Sequence, residues 1–159
     1  MAKSQTTRKT GRSGALKTAG IAFIGGGNMA EALIRGLLEA GIAKAGSICV
    51  SDVAAGRLTH LRDRYRVRTT SDNAEAAARA DIVFLAVKPQ NMEEALEAVA
   101  PGLKDSCLVV SIMAGVPTGK IEERLGGKGR VVRVMPNAAA LVGQGAAGVA
   151  GGSGRTGGM

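Results

Sequence analysis

The sequence predicts an α/β fold: a doubly wound, mostly parallel, Rossmann-type sheet in a single domain. Three observations carry this. Six short aliphatic runs recur along the chain, GIAFI (20–24), SICVS (47–51), VRT (67–69), DIVFLAV (81–87), CLVVSIMA (107–114) and RVVRVM (130–135). A helix-length connection separates each run from the next, as parallel strands require, and right-handed crossovers then narrow the topology to a doubly wound sheet. Hydrophobic residues make up 45% of the chain but aromatics only 2%. The core is therefore built from Ala, Val, Ile and Leu, which suits helices packed closely on a sheet buried on both faces.

The elements follow in order. After the first run, a helix is expected from residue 28 to about 39, with Met29, Leu33, Leu37 and Ala40 forming one apolar face and Gly41 marking its end. The second run leads into a helix over 54–64, with Leu58 and Leu61 inward and Arg57, Arg62 and Arg64 mostly outward. The short third run precedes an Ala-rich helix over 73–80. The fourth stops at Lys88-Pro89, where proline ends sheet pairing. Met92, Leu96 and Val99 form a further helical stripe ended by Pro101-Gly102, and a short helix around 119–125 precedes the sixth run. At 159 residues the chain is one domain by length. The expected division is a disordered basic leader (1–18), a folded body (19–150) and a disordered Gly-rich tail (151–159) with almost nothing to bury.

The formal charge of +8 belongs to the ends. Lys3, Arg8, Lys9, Arg12 and Lys17 lie in an acid-free leader and Arg155 lies in the tail, leaving 15 bases against 13 acids in the body. With so few aromatics to stack on bases, no nucleic-acid partner is expected. Cys49 and Cys107 sit in apolar runs and read as small buried thiols. With His60 the single histidine, no zinc constellation can be assembled, and no metal is expected. No apolar stretch reaches the ~18 residues of a membrane span, and the leader lacks the apolar core of a secretory signal. A cytoplasmic protein with no membrane partner is the expectation, although organelle transit peptides share the leader's basic, hydroxyl-rich composition.

The three consecutive glycines Gly25, Gly26 and Gly27 join the first strand to the first helix. The pattern Gly25-x-Gly27-x-x-Ala30, at the first turn of a first βαβ unit, has the spacing and the context of a dinucleotide fingerprint. Gly25 permits a tight turn, Gly27 keeps side chains away from a pyrophosphate, and Ala30 lets helix and strand pack closely. The N–H groups around Asn28 and Met29 then face the phosphates at the positive end of the helix dipole. At the end of the second strand an acid selects NAD through the ribose 2′-OH, while a hydroxyl and an Arg suit the 2′-phosphate of NADP. Ser51-Asp52 with Arg57 offers both; Ser51, in the last in-sheet position, and Arg57 favour NADP.

GGGNMAEALIRGLL (25–38), Ser51-Asp52, the stretch Thr70–Glu75, LAVKPQ (85–90), SIMAGV (111–116) and RVVRVMPN…ALVGQGA (130–146) together resemble the pyrroline-5-carboxylate reductases, in order and spacing, over about residues 20–150. The resemblance implies reduction of the ring C=N of 1-pyrroline-5-carboxylate to L-proline, with NADPH as cofactor and NADH possible. It places the pyrophosphate on Gly25, Gly26, Gly27, Asn28, Met29 and Ala30. Ser51 and Asn73 would lie at the adenosine ribose and its 2′-phosphate. Ala86, Val87, Lys88 and Pro89, with Met113, Ala114 and Gly115, would line the nicotinamide half, and Asn137 would stand near the nicotinamide and the substrate. Two departures stand out. Ala138-Ala139 replaces the usual Thr-Pro after Asn137, and the chain's last residues resemble nothing in the helical C-terminal domain that forms the family's dimer. The chain therefore looks like the cofactor half of such an enzyme, expected to be monomeric and inactive alone. A non-catalytic NAD(P)-binding module, or another imine or β-hydroxyacid reductase of the wider superfamily, are the alternatives.

Few acid–base groups are available for catalysis, and no catalytic residue is assigned. His60 reads as a surface or half-buried residue, Tyr65 as packing, and the arginines at 62, 64, 66 and 68 as a solvated face. Lys88, at the carboxyl edge of the sheet where ligands bind in such folds, is the candidate that stands out; the simpler account is a strand-end lysine reaching solvent.

Overall fold

A computed structural model describes residues 19–136 and 147–151. Its strands are β1 (Ile21–Ile24), β2 (Ile48–Ser51), β3 (Arg68–Thr70), β4 (Ile82–Leu85), β5 (Leu108–Ser111), β6 (Arg130–Pro136) and β7 (Ala147–Gly151). They form one sheet in the order β3-β2-β1-β4-β5-β6-β7. The six expected strands are present and mutually parallel. The seventh is a correction: β7 pairs antiparallel with β6, from Val132↔Gly151 to Pro136↔Ala147. Its sequence, AGVAG, holds a single β-branched residue and gave no strand signal, so Gly151 belongs to the sheet rather than to the tail.

The helices are α1 (Asn28–Glu39), α2 (Ala55–Tyr65), α3 (Asn73–Ala78), α4 (Met92–Val99) and α5 (Thr118–Arg124). Alternate residues of the central strands serve two cores, as the period of two dictates. Ile21, Phe23, Ile48 and Val50 are buried with Ala30 and Ile34 of α1 and Leu61 of α2. Ala22, Ile24, Cys49, Val83, Leu85, Val109 and Val131 are buried with α3, α4 and α5, through Ala76, Ala77, Leu96, Val99 and Ile121. Phe23 and Phe84, paired across β1 and β4, stack with centroids 4.7 Å apart.

The buried stripe of α1 differs from the expected one. Ala30 and Ile34 are fully enclosed, whereas Met29, Leu33 and Leu37 are half-buried and Ala40 is exposed. The small Ala30 lets the helix approach the sheet, so the long side chains flank the contact rather than fill it. Local signals set the ends of other helices. Asp72 caps α3 by accepting the N–H groups of Ala74 and Glu75, and Arg66 closes α2 in the left-handed region at φ 65°. Cys49 and Cys107 are buried, free thiols. Burial pushes both upward, Cys107 to about 11, so neither is a thiolate at neutral pH.

Candidate dinucleotide site

The chain winds from β1 outward through β2 to β3, then crosses to β4 on the other side of β1. Such a reversal opens a crevice at the carboxyl ends of the two central strands. Backbone hydrogen bonds hold the strand exits side by side. Gly25 N–H donates to the Ser51 carbonyl at 2.8 Å, Ala86 N–H to the Ile24 carbonyl at 2.8 Å, and Ile112 N–H to the Leu85 carbonyl at 3.1 Å. The sequence segments singled out at 25–30, 51–52, 86–89 and 113–115 therefore meet at one edge.

The three glycines divide the work of the turn. Gly25 has φ +103°, and a Cβ there would lie 2.7 Å from the Ala86 carbonyl oxygen; no other residue fits. Gly26 is buried, and a Cβ would lie 2.9 Å from Leu61 Cδ1 and 3.2 Å from Val50 Cγ1. Its N–H donates to Asp52 Oδ2 at 2.7 Å, and its carbonyl accepts from Arg57 Nε at 2.7 Å. Gly26 thus supports the turn from below. Gly27 is different: a Cβ there would meet nothing within 4 Å. It is the N-cap of α1, with no side-chain cap, and no hydrogen bond among the described residues engages the N–H groups of Gly27, Asn28 or Met29. Open space in front of unpaired N–H groups at a helix N-terminus is the environment a phosphate takes.

At the β2 exit, Ser51 is fully buried, and its Oγ donates to Asn73 Oδ1 at 2.6 Å. The two residues that the resemblance grouped at the ribose are in contact, with the half-buried Asn73 nearer the surface and Ser51 anchoring it. Asp52 uses its other oxygen to accept the Ala54 N–H. Beside it Val53 is 97% exposed, an apolar side chain that no sequence pattern marked.

On the other side, Ala86 and Val87 are half-buried while Lys88 and Pro89 are exposed. Met113 is buried, its N–H donating to Ser111 Oγ at 3.3 Å, so it belongs to the core beneath the rim. Ala114 and Gly115 carry the surface there, with Gly115 at φ +72°. Asn137 lies outside the described residues.

Arg57 does not point outward as its helical position suggested. Its Nη2 donates to Glu31 Oε1 at 2.8 Å, while its Nε holds Gly26. Glu31 Oε2 accepts from Tyr65 Oη at 2.7 Å and lies 3.1 Å from His60 Nε2. Partial burial pushes the Glu31 carboxyl upward, but the hydrogen bonds from Tyr65, His60 and Arg57 outweigh it and bring the group from 4.5 down to about 2. His60 and Tyr65, read as surface and packing residues, thus hold Glu31. Its partners lie 26 to 34 residues away, so nothing local in the sequence marks this carboxylate.

Among the described residues no group of His, Cys, Asp and Glu comes together as a metal site, and no helix is long and apolar enough to cross a membrane. The crevice, the glycine turn and the open helix N-terminus define a dinucleotide-binding α/β domain. The chain belongs to the family described as NADP oxidoreductase coenzyme F420-dependent, which it matches over residues 20–115. It is 46% identical over 134 residues to the pyrroline-5-carboxylate reductase of Pseudomonas aeruginosa, covering 84% of this chain and 49% of the relative. Among solved structures it superposes on the pyrroline-5-carboxylate reductase of Coxiella burnetii with a TM-score of 0.81 at 38% identity, over 86% of this chain and 51% of the other. The pyrroline carboxylate reductase of Plasmodium falciparum, solved with NADP bound, matches with a TM-score of 0.75 at 30% identity, over 87% and 50%. The chain spans about half the length of the curated relatives it matches.

Proposed function

We propose that this chain is the cofactor-holding part of a pyrroline-5-carboxylate reductase, and that it binds NADPH in preference to NADH. The observation that carries this is the turn itself. Gly27 stands in open space beside N–H groups that no hydrogen bond among the described residues engages, a cradle open to a ligand. A dinucleotide pyrophosphate fits that cradle in charge and in shape.

The N–H groups of Gly27, Asn28 and Met29 hold the pyrophosphate. Asn73, fixed by Ser51, meets the ribose. Ala86, Val87, Ala114 and Gly115 present small side chains and backbone along the nicotinamide rim, leaving room for a flat ring. Reduced nicotinamide, when bound, would supply the hydride to the carbon of a cyclic C=N that is already protonated on nitrogen, giving an amine whose nitrogen keeps that proton. Lys88 is exposed at the same rim, where its charge attracts an anionic substrate. The description of the matched family and the NADP in the Plasmodium enzyme support the cofactor choice.

Calorimetric titration of NADPH and NADH into the purified chain tests the reading. Saturable binding with NADPH tighter is expected; a folded chain that binds neither at millimolar concentration overturns it.

A further inference from the structure

We propose that Arg57, held by Glu31, is the positioning residue of the cofactor turn and takes no part in recognising the ribose. This rests on the reading of Gly25–Gly27 as a pyrophosphate cradle and deepens it.

The geometry is that of one peptide unit. No peptide bond among the described residues is cis. In a trans peptide the C=O and the following N–H point in opposite directions. Arg57 Nε holds the Gly26 carbonyl at 2.7 Å, so the Gly27 N–H of the same unit is turned away from Arg57, toward the open side of the turn. The preceding unit is pinned too, its Gly26 N–H held by Asp52 at 2.7 Å. A glycine triplet left alone samples many φ/ψ combinations; here the middle residue is fastened at both of its polar groups. A binding group fixed before the ligand arrives spares the ligand the entropy of ordering it.

Arg57 is itself aimed. Its second contact, Nη2 to Glu31 Oε1 at 2.8 Å, uses a carboxylate that Tyr65 and His60 hold from the other side. A guanidinium offers donors in a rigid fork that can serve a carbonyl and a carboxylate together, which a lysine ammonium on a flexible stem does not reproduce. Glu31 lies in the first turn of α1 and Arg57 in α2. The cluster therefore locks the helix that receives the phosphate to the helix behind the turn.

The test compares the full chain with Arg57→Lys, Arg57→Met and the milder Glu31→Gln, titrated calorimetrically with NADPH, NADH, ADP and 2′-AMP. ADP carries a pyrophosphate without a 2′-phosphate, and 2′-AMP the reverse. Both Arg57 variants should weaken NADPH, NADH and ADP by a common factor of about ten, the scale of one charge-assisted hydrogen bond, and leave 2′-AMP unchanged. Lysine should not rescue, and Glu31→Gln should show the same pattern more weakly. A loss confined to NADPH and 2′-AMP would make Arg57 a direct ligand of the ribose phosphate. Unchanged binding of all four with a lowered Tm would reduce the cluster to a join between helices. Either result overturns the proposal while leaving the cofactor reading standing. Failure of the unsubstituted chain to bind any dinucleotide removes both.

Discussion

Ser51 Oγ donates to Asn73 Oδ1 at 2.6 Å, tying the end of β2 to the first residue of α3. Ser51 has no exposed surface, so its influence on a ribose must pass through Asn73. Ser51→Ala should release the Asn73 side chain, at a stability cost of about 1 kcal/mol for the lost hydrogen bond. The NADPH to NADH affinity ratio should fall by severalfold while NADH binding stays nearly constant. Titration of both cofactors into the variant checks this, and equal losses for the two would separate Asn73 from the ribose.

The three glycines should respond to substitution in opposite ways. Gly27→Val places a branched side chain where a Cβ meets nothing, at an ordinary φ of −77°; the protein should remain folded and lose NADPH binding. Gly26→Ala pushes against Leu61 and Val50 and should cost about 1–3 kcal/mol of stability, as overpacking does. Gly25→Ala combines φ +103° with a clash on the Ala86 carbonyl and should be the most destabilising of the three. Thermal melts alongside cofactor titration separate the classes.

Much of this site was legible because its signals are local. A strand, a glycine turn and a helix within twenty residues state a dinucleotide fingerprint, and the alternation of aliphatic runs with helix-length connections states a parallel sheet. What was hidden depends on residues far apart. The roles of Glu31 and Arg57 come from α1 and α2 lying side by side, and periodicity alone placed Arg57 on a solvated face. Gly26 and Gly27 are the same residue in sequence; Leu61 and Val50 beneath the first, and its hydrogen bonds with Asp52 and Arg57, make them different. The strand β7 was missed because Ala and Gly carry little β-propensity, and its pairing with β6 is what makes AGVAG a strand.

Acid should weaken the clamp at a pH set by Glu31. Its carboxyl lies at about 2 in the folded chain against an ordinary 4.5. The unfolded chain therefore binds the proton more readily between these values. The stabilisation is complete above about pH 5 and is lost as the pH falls toward 2. Glu31→Gln should flatten this limb by on the order of 1–2 kcal/mol, after allowing for screening of a partly exposed group. Urea unfolding at intervals from pH 7 to 2.5 measures the difference. Parallel curves for the two proteins would show that Tyr65, His60 and Arg57 do not favour the ionised carboxylate.

The 159 residues expressed alone should bind NADPH and yet reduce pyrroline-5-carboxylate poorly. Hydride transfer needs the imine carbon held against the nicotinamide face, its carboxylate oriented and water excluded. Among the described residues the rim consists of Ala86, Val87, Lys88, Ala114 and Gly115, of which Lys88, Ala114 and Gly115 are exposed. Small side chains and backbone can receive a flat ring from one side, and one exposed lysine can attract a carboxylate without fixing its direction. Positioning contributes about 7–11 kcal/mol in well-oriented reactions, so losing most of it conceals turnover even when the cofactor is bound. The relatives are about twice as long as this chain. NADPH oxidation followed at 340 nm with pyrroline-5-carboxylate, beside the Pseudomonas enzyme, decides the matter. Turnover within tenfold of that enzyme would mean that Ala86, Val87, Lys88, Ala114 and Gly115 are not all that orients the substrate in these 159 residues.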